Sequence, residues 1–239
     1  MSRARVTIVV LVAALALGSA AVSGFAASLN LASQILTPYR TCTITATPST
    51  TTAVADASVR QGSATSNFGT ATTNNVASAT TANRRLYLFF DLAHCSPAIP
   101  TTAIVRLATL RLYVSGLPAS CRTIDIFRVT AAWSEGTITW SNQPFGTTLN
   151  NPAGTSASDT FNAGSPAGCQ NLTTGAYIVG ANPTADVAAW VAGTTTNNGW
   201  MLRDDVESSI TAYTQTFNAK NLGTLAQAPQ LIVTYVVVS

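Results

Sequence analysis

The stretch RRLYLFFDL, residues 84–92, decides the fold class because its apolar side chains recur at every second position. Successive side chains of a β-strand point to opposite faces of the sheet, so residues two apart share a face. The pattern therefore predicts a β-strand with one apolar face. The residues of that face are Leu86, Leu88, Phe90 and Leu92.

The same alternation recurs along the chain in short segments that Gly, Pro and Asn separate. Short strands at fairly regular spacing are typical of a β-sandwich. We predict strands in six further segments, of which the last two are the weaker: ATLRLYVS (108–115), TIDIFRV (123–129), TITW (137–140), PQLIVTYVV (229–237), SDTFN (158–162) and AYIV (176–179).

One segment has the signals of a helix, TADVAAWVAG at 184–193, in which Thr184 is a candidate cap and Gly193 a candidate end. We expect GTATTNN (69–75) to be a loop. The predicted fold is all-β: a jelly-roll-like β-sandwich of two antiparallel sheets with one short helix.

Composition and charge agree with a single β domain. The chain has 239 residues, many Thr and Ser, a single Lys and a formal net charge of +3. A length of 200–250 residues is common for one sandwich or barrel. Without a basic stripe the chain lacks the main electrostatic driver of nucleic-acid binding, and we exclude that partner.

The N-terminus has the pattern of a secretory signal peptide. Arg3 and Arg5 precede an apolar run at 6–17, and small residues follow it. We predict a signal peptide at 1–26, cleaved after Ala26, with cleavage after Ser23 or retention as an anchor as the alternatives. Residues 27–52 would be an N-terminal arm and spacer that includes a first strand, and 53–239 the β-sandwich domain. The predicted location is extracellular or on the cell surface, with no stable membrane span after cleavage.

The four cysteines are widely spaced and form no C-x-x-C pair, which argues against a zinc or redox site and fits an exported protein. They predict two disulfides, and three pairings are possible. The expected strand directions place the two later cysteines at one end of the sandwich. This favours Cys121–Cys169 and, by elimination, Cys42–Cys95.

Several motifs occur in an order that resembles the DNRLRE family. They are NRRLYLFFDL (83–92), ATLRLYV (108–114), IFRVTAAWSEGTITWSNQP (126–144), ADVAAWVAGTTTNNGWMLRDD (185–205) and APQLIVTY (228–235). The segment 133–144 is the most specific of them. The resemblance covers roughly residues 53–237 and implies a jelly-roll sandwich of a secreted or surface protein. Some members are classed as carbohydrate-binding modules.

The tryptophans are the first candidates for contact with a glycan, because an aromatic face can stack on the apolar face of a sugar ring. Trp133 and Trp140 bracket the specific motif, and core packing is the alternative for both. We expect Trp190 to be core. Trp200 enters a strand after an Asn-Asn-Gly turn, and we expect it to be the most exposed of the four.

Charged residues supply the other candidates. Glu135 could bind sugar hydroxyls or fix its turn. Arg85 could clamp a carboxylate or protect a strand edge, and Arg203 joins the ligand-binding candidates. Asp204 and Asp205 are candidate ligands of calcium, with a solvated loop as the alternative. Asp56 is a second calcium candidate, and no other cofactor is expected.

We predict no catalytic site. His94 is the only histidine, and its neighbour Cys95 is expected to be oxidised. No nucleophile elbow, zinc-protease motif or P-loop occurs. The leading hypothesis is a secreted, non-catalytic module that binds cell-surface or environmental polysaccharide. The alternative is a structural matrix or adhesion protein whose arm, residues 28–47, pairs with the sheet edge of a neighbouring molecule.

Overall fold

The computed structural model describes residues 38–46, 51–150, 156–165, 169, 174–178 and 180–237. The predicted signal peptide and its cleavage site lie outside these ranges. All described strands belong to one compact unit, Thr37–Ser239. No helix in the described ranges has the length and apolar character needed to cross a membrane.

Eleven strands and one α-helix make up the described fold. The strands are β1 (Arg40–Thr45), β2 (Val54–Arg60), β3 (Thr73–Ser78), β4 (Arg84–Phe90), β5 (Ala103–Arg111), β6 (Val114–Gly116), β7 (Arg122–Arg128), β8 (Asp159–Ala163), β9 (Trp200–Asp204), β10 (Tyr213–Asn218) and β11 (Gln230–Val237). The helix α1 spans Thr184–Val191.

The strands form two sheets, and the paired strands run antiparallel. The smaller sheet has the order β1-β11-β5, and the larger has the order β6-β10-β3-β4-β9-β7-β8, with β2 paired to β4. The prediction of an all-β sandwich with one short helix is confirmed.

Strand β4 lies inside the larger sheet, between β2 and β9, and both of its faces are buried. Leu86, Leu88 and Phe90 enter the main core. Tyr87, on the other face, enters a second apolar cluster that includes Ile138 and Trp140. The alternation of residues 84–92 therefore predicted the strand correctly. It could not show that a later loop covers the second face.

That loop, residues 130–142, is called the motif loop below. The prediction of a strand at 137–140 is wrong, because the segment forms turns and has no strand partner. Ile138 and Trp140 are buried against the larger sheet. Their alternation therefore reflects packing of a loop on a sheet.

Three smaller expectations also need correction. Residues 73–75, expected in a loop, begin β3. Of the weak candidate at 176–179, the described part contributes one isolated bridge, between Tyr113 and Tyr177. Thr184 is the first residue of α1 and Pro183 holds the N-cap position, which has no side-chain capping bond; the Thr184 hydroxyl accepts from Ala108 N at 3.0 Å. Gly193, with φ +69°, follows the helix end as expected.

Disulfides join Cys42 to Cys95 and Cys121 to Cys169, which is the pairing that the strand directions favoured. Cys42 lies in β1, and β1 pairs along its length with β11 of the same chain. The described part of the predicted arm is therefore a strand of the sandwich itself. This is the first strand that the sequence predicted within residues 27–52. β1 lies at the edge of the smaller sheet, and pairing of the arm with a neighbouring molecule stays a prediction.

Candidate functional site

A surface cleft lies beside the motif loop and has a volume of about 430 Å³. This volume is within the usual range for small-molecule sites, which are mostly apolar with a few convergent polar groups. The cleft, called the Trp133 cleft below, is lined by Ala132, Trp133, Ser134, Thr137, Ile138 and Asn142.

Trp133 is partly buried and firmly held in the wall of this cleft. Its indole Nε1 donates to Asn198 O at 2.8 Å. Its ring meets the Tyr87 ring edge-on, with centroids 5.5 Å apart. The polar end of the indole is thus bonded and one side is packed, while part of the ring borders the cleft. An aromatic surface fixed in this way can bind a ligand without first losing rotamer freedom.

The body of the protein holds the motif loop through its backbone carbonyls. Asn67 Nδ2 donates both to Glu135 O at 2.7 Å and to Ile138 O at 2.8 Å. At Gly69 the loop comes so close that an added Cβ would lie 2.2 Å from Glu135 O. These contacts explain why a segment without strand pairing keeps one conformation.

Glu135 also anchors the motif loop through its carboxylate. Its Oε1 accepts from Asp56 N at 3.0 Å, and its Oε2 lies 2.7 Å from Lys220 Nζ. Lys220 N in turn donates to Asp56 Oδ2 at 2.8 Å. Glu135 is therefore a positioning residue of the loop, which is the second of the two roles that the sequence left open.

Asp56 is a buried carboxyl group beneath this anchor. Its pKa is raised to about 6, mainly by burial and in smaller part by the Glu135 carboxylate, against the lowering effect of the hydrogen bond from Lys220 N–H. Its Oδ1 has no hydrogen-bond partner among the described residues. The group therefore titrates closer to neutral pH than an ordinary carboxyl group, and its role as a calcium ligand stays a prediction.

Residues 194–199, called the Asn loop, lie beside Trp133 and line two smaller cavities that adjoin the cleft. Asn197 Nδ2 donates to Phe90 O at 2.9 Å, and Asn197 Oδ1 accepts from Gly199 N at 3.0 Å. Gly199 has φ +74°, and an added Cβ would lie 1.9 Å from Leu88 O. Only glycine fits this close approach and this backbone conformation. The Asn loop is thereby fixed against β4, with Asn198 beside Trp133.

Two smaller cavities continue from the Trp133 cleft along the Asn loop. The first, about 120 Å³, shares Ala132 and Trp133 with the cleft and also borders Asn198. The second, about 270 Å³, shares Asn198 with the first. It is lined by Arg128, Val129, Thr130, Thr195, Thr196 and Asn198.

The model of carbohydrate-binding module family 96 matches residues 47–235. The chain belongs to this family. The matched range contains the Trp133 cleft, both adjoining cavities and both loops that form them. A search of curated proteins finds no match to this chain.

Membership in family 96 confirms the class of carbohydrate-binding module that the sequence resemblance implied. Together with the two disulfides, it fits an extracellular protein.

Two of the predicted tryptophan platforms are not available in this family 96 module. Trp200 is fully buried, with its ring centroid 4.6 Å from that of Trp190 and its Nε1 donating to Asp186 Oδ2 at 2.8 Å. The expectation that Trp200 is the most exposed tryptophan is wrong, because β9 lies inside the larger sheet and the Trp200 ring packs against Trp190 of α1. Trp140 is also buried, in the second apolar cluster.

Arg85 is a buried structural residue, neither a ligand clamp nor a guard of a strand edge. Its guanidinium makes five hydrogen bonds, which matches its five N–H donors. Glu207 accepts two of them, at 2.7 and 2.9 Å. The other acceptors are Gln143 Oε1, Gly146 O and Thr148 O. Arg85 thus pins the segment after the motif loop to β4 and leaves no donor for a glycan.

The two aspartates expected to bind calcium both lie beside one arginine, Arg122. Both carboxylate oxygens of Asp204 accept from Arg122, and Asp205 lies 3.8 Å from the same guanidinium. Arg203 is buried and pairs with Asp125 at 3.1 Å. In the described part of the chain no three His, Cys, Asp or Glu side chains are grouped to hold a metal. The geometry therefore argues against a calcium ion at Asp204 and Asp205.

His94 and Cys95 do not form a nucleophilic pair. Cys95 is bonded to Cys42, and His94 Nδ1 lies 3.2 Å from Asp91 Oδ2.

Sequence reasoning selected Trp133 but missed most of the polar residues around it. Asn142 uses one donor and one acceptor within the motif loop, to Thr137 O and from Thr139 N. A side-chain amide has two donors and two acceptor positions, so one of each is left for a ligand. The sequence predicts a turn at Asn-Asn-Gly, residues 197–199, but gives no sign that residues 195–198 line the two smaller cavities.

Proposed function

We propose that this family 96 module is a non-catalytic protein that binds polysaccharide outside the cell, with Trp133 as the platform for a sugar ring. The observation that carries the proposal is the fixed, partly exposed Trp133 ring bordering a cleft of about 430 Å³. Exposed hydroxyls of Ser134 and Thr137 lie around it. An apolar ring surface and hydroxyl or amide partners are the two kinds of contact that a sugar offers.

The absence of acids from the site supports a binding role. Glycosidases canonically need two carboxyl groups on either side of the bond that they cleave. None of the described residues that line the three cavities is an Asp or a Glu. The neighbouring carboxylate of Glu135 is held by Lys220 and by Asp56 N–H.

The finer predictions from the sequence fit this proposal. The motif at 133–144, on which the resemblance to the DNRLRE family rests, supplies the motif loop. The N-terminal pattern of a signal peptide and the two disulfides both suit export. We therefore propose a secreted or cell-surface location.

The experiment is a polysaccharide panel measured by affinity electrophoresis and calorimetry with the full chain, in calcium and in EDTA. We expect at least one polysaccharide to bind. Trp133→Ala should weaken that binding roughly tenfold or more, the equivalent of about 1.4 kcal/mol of lost contact.

Leu107→Ala is the matched control, because it removes an apolar side chain that is 44% exposed on the other sheet. It should leave binding unchanged. Binding to no member of the panel would contradict the proposed function, and equal weakening by both substitutions would contradict the assignment of the site.

A further inference from the structure

The three cavities follow one another along the surface and share their walls. Ala132 and Trp133 line both the first and the second cavity. Asn198 lines both the second and the third. Trp133 therefore stands between two spaces, and a chain molecule that passes it can occupy both.

In the described part of the chain, exposed side chains line both end cavities of this series. Exposed Ser134 and Thr137 lie at one end, and exposed Thr130 and Thr196 at the other. A site that recognises the terminal sugar of a chain needs an enclosing wall that excludes a further residue. The exposed ends provide no such limit.

The polar groups of the series are short and are spread over its length. They are hydroxyls of Ser and Thr and amides of Asn, together with Arg128 in the third cavity, whose guanidinium lies 3.6 Å from the Asp186 carboxylate. Spread contacts of this kind add affinity for every further sugar that reaches them.

We infer that the three cavities form one open-ended groove that binds an internal run of several sugars in a linear polysaccharide. The run crosses Trp133, with Thr137 contacting it on one side and Thr196 on the other. This inference rests on the proposed function and adds the form of the ligand: the middle of a chain rather than its end.

The test uses ladders of cello-oligosaccharides, xylo-oligosaccharides and oligomannuronates, from the monosaccharide to the hexasaccharide, together with the parent polymers. For the ladder that binds, affinity should rise roughly tenfold or more between the disaccharide and the longest oligomers. Reduction of the terminal sugar of the longest oligomer should leave its affinity unchanged. If none of the three ladders binds, the same comparison is made on a ladder cut from the polymer that the panel identifies.

Substitutions at the two ends of the groove sharpen the test. Thr137→Val and Thr196→Val each remove one exposed hydroxyl, and each should weaken binding of the hexasaccharide several-fold while changing binding of the disaccharide less. Thr43→Val, at an exposed position of β1, is the matched control and should change neither.

Three results separate this inference from the function on which it rests. Affinity that is already complete at the monosaccharide or disaccharide, or that is lost when a chain end is reduced, would overturn the groove and leave polysaccharide binding intact. The groove would also be overturned if Thr137→Val, Thr196→Val and the control Thr43→Val bound the hexasaccharide with equal affinity. Polysaccharide binding would again be left intact. Failure of every polymer to bind would overturn both proposals.

Discussion

Trp200 and Trp133 differ in what surrounds them, and the difference separates the interior of this sandwich from its proposed binding surface. Both indole N–H groups have an acceptor at 2.8 Å. Trp200, however, is enclosed on all sides by the sheet and by α1, whereas part of Trp133 faces a cleft. A hydrogen bond from the indole N–H therefore does not distinguish a core tryptophan from a candidate binding residue. The exposed part of the ring does.

The charged groups show the same division. Arg85 and Glu207 are fully buried and satisfy each other within the interior. Glu135 and Lys220, which hold the motif loop, are partly exposed at the edge of the site. The interior fixes the sheet, and the edge groups fix the loop that carries Trp133.

The largest expected effect is on stability and comes from the interior tryptophan. Trp200→Ala should lower the free energy of unfolding by about 3–5 kcal/mol, because it leaves a large cavity and removes the N–H partner of Asp186. Trp133→Ala should cost clearly less, since its ring is partly exposed. Urea unfolding of both variants checks this. Similar losses in the free energy of unfolding would contradict the assignment of Trp200 to the interior and of Trp133 to the cleft.

Breaking the buried ion pair should be nearly as damaging. Glu207→Gln leaves the Arg85 guanidinium buried without its counter-charge, and we expect a loss of about 3 kcal/mol in the free energy of unfolding. Asp205→Asn, with a side chain 40% exposed, is the control and should cost less than about 1 kcal/mol. Both variants are measured by thermal and urea unfolding. If Glu207→Gln and Asp205→Asn cost the same free energy of unfolding, the Arg85–Glu207 pair is not shielded from solvent as we describe.

Asp56 gives a smaller effect with a defined pH dependence. Its folded pKa of about 6 lies above the usual 3.8, so its contribution to stability is complete below pH 4 and is lost as the pH rises through about 6. Asp56→Asn should therefore stabilise the protein at pH 7.5 by about 2–3 kcal/mol. It should also flatten the stability profile between pH 4 and 6. A profile as steep as that of the wild type in this window would show that another group is responsible.

Calcium should have the smallest effect. Because Arg122 pairs with both Asp204 and Asp205, EDTA or added calcium should shift the melting temperature by less than the ~2–4 °C that corresponds to 1 kcal/mol in a domain of this size. A clear rise with calcium would restore the metal site that the sequence suggested.

The sequence predicted the fold well because alternation within strands such as β4 and β11 is a local signal. It predicted the site less well because the decisive contacts are not local. Trp200 and Trp133 both lie beside turns in the sequence, and Trp200 is buried by residues distant in the chain, among them Phe90 of β4 and Trp190 of α1. Likewise, the sequence around Arg85 indicates a surface charge, because the residues that cover its guanidinium, within 143–148, lie about 60 positions further along the chain. The bond from Trp133 to Asn198 joins segments 65 residues apart, and no periodicity shows it.

The most direct test of the Trp133 platform follows the four indole N–H signals by ¹H–¹⁵N NMR during titration with the polysaccharide that binds. The signal that is missing in Trp133→Phe identifies Trp133. We predict that this signal shifts or broadens on saturation while those of Trp140, Trp190 and Trp200 stay in place. Saturable binding with an unchanged Trp133 signal would contradict the account.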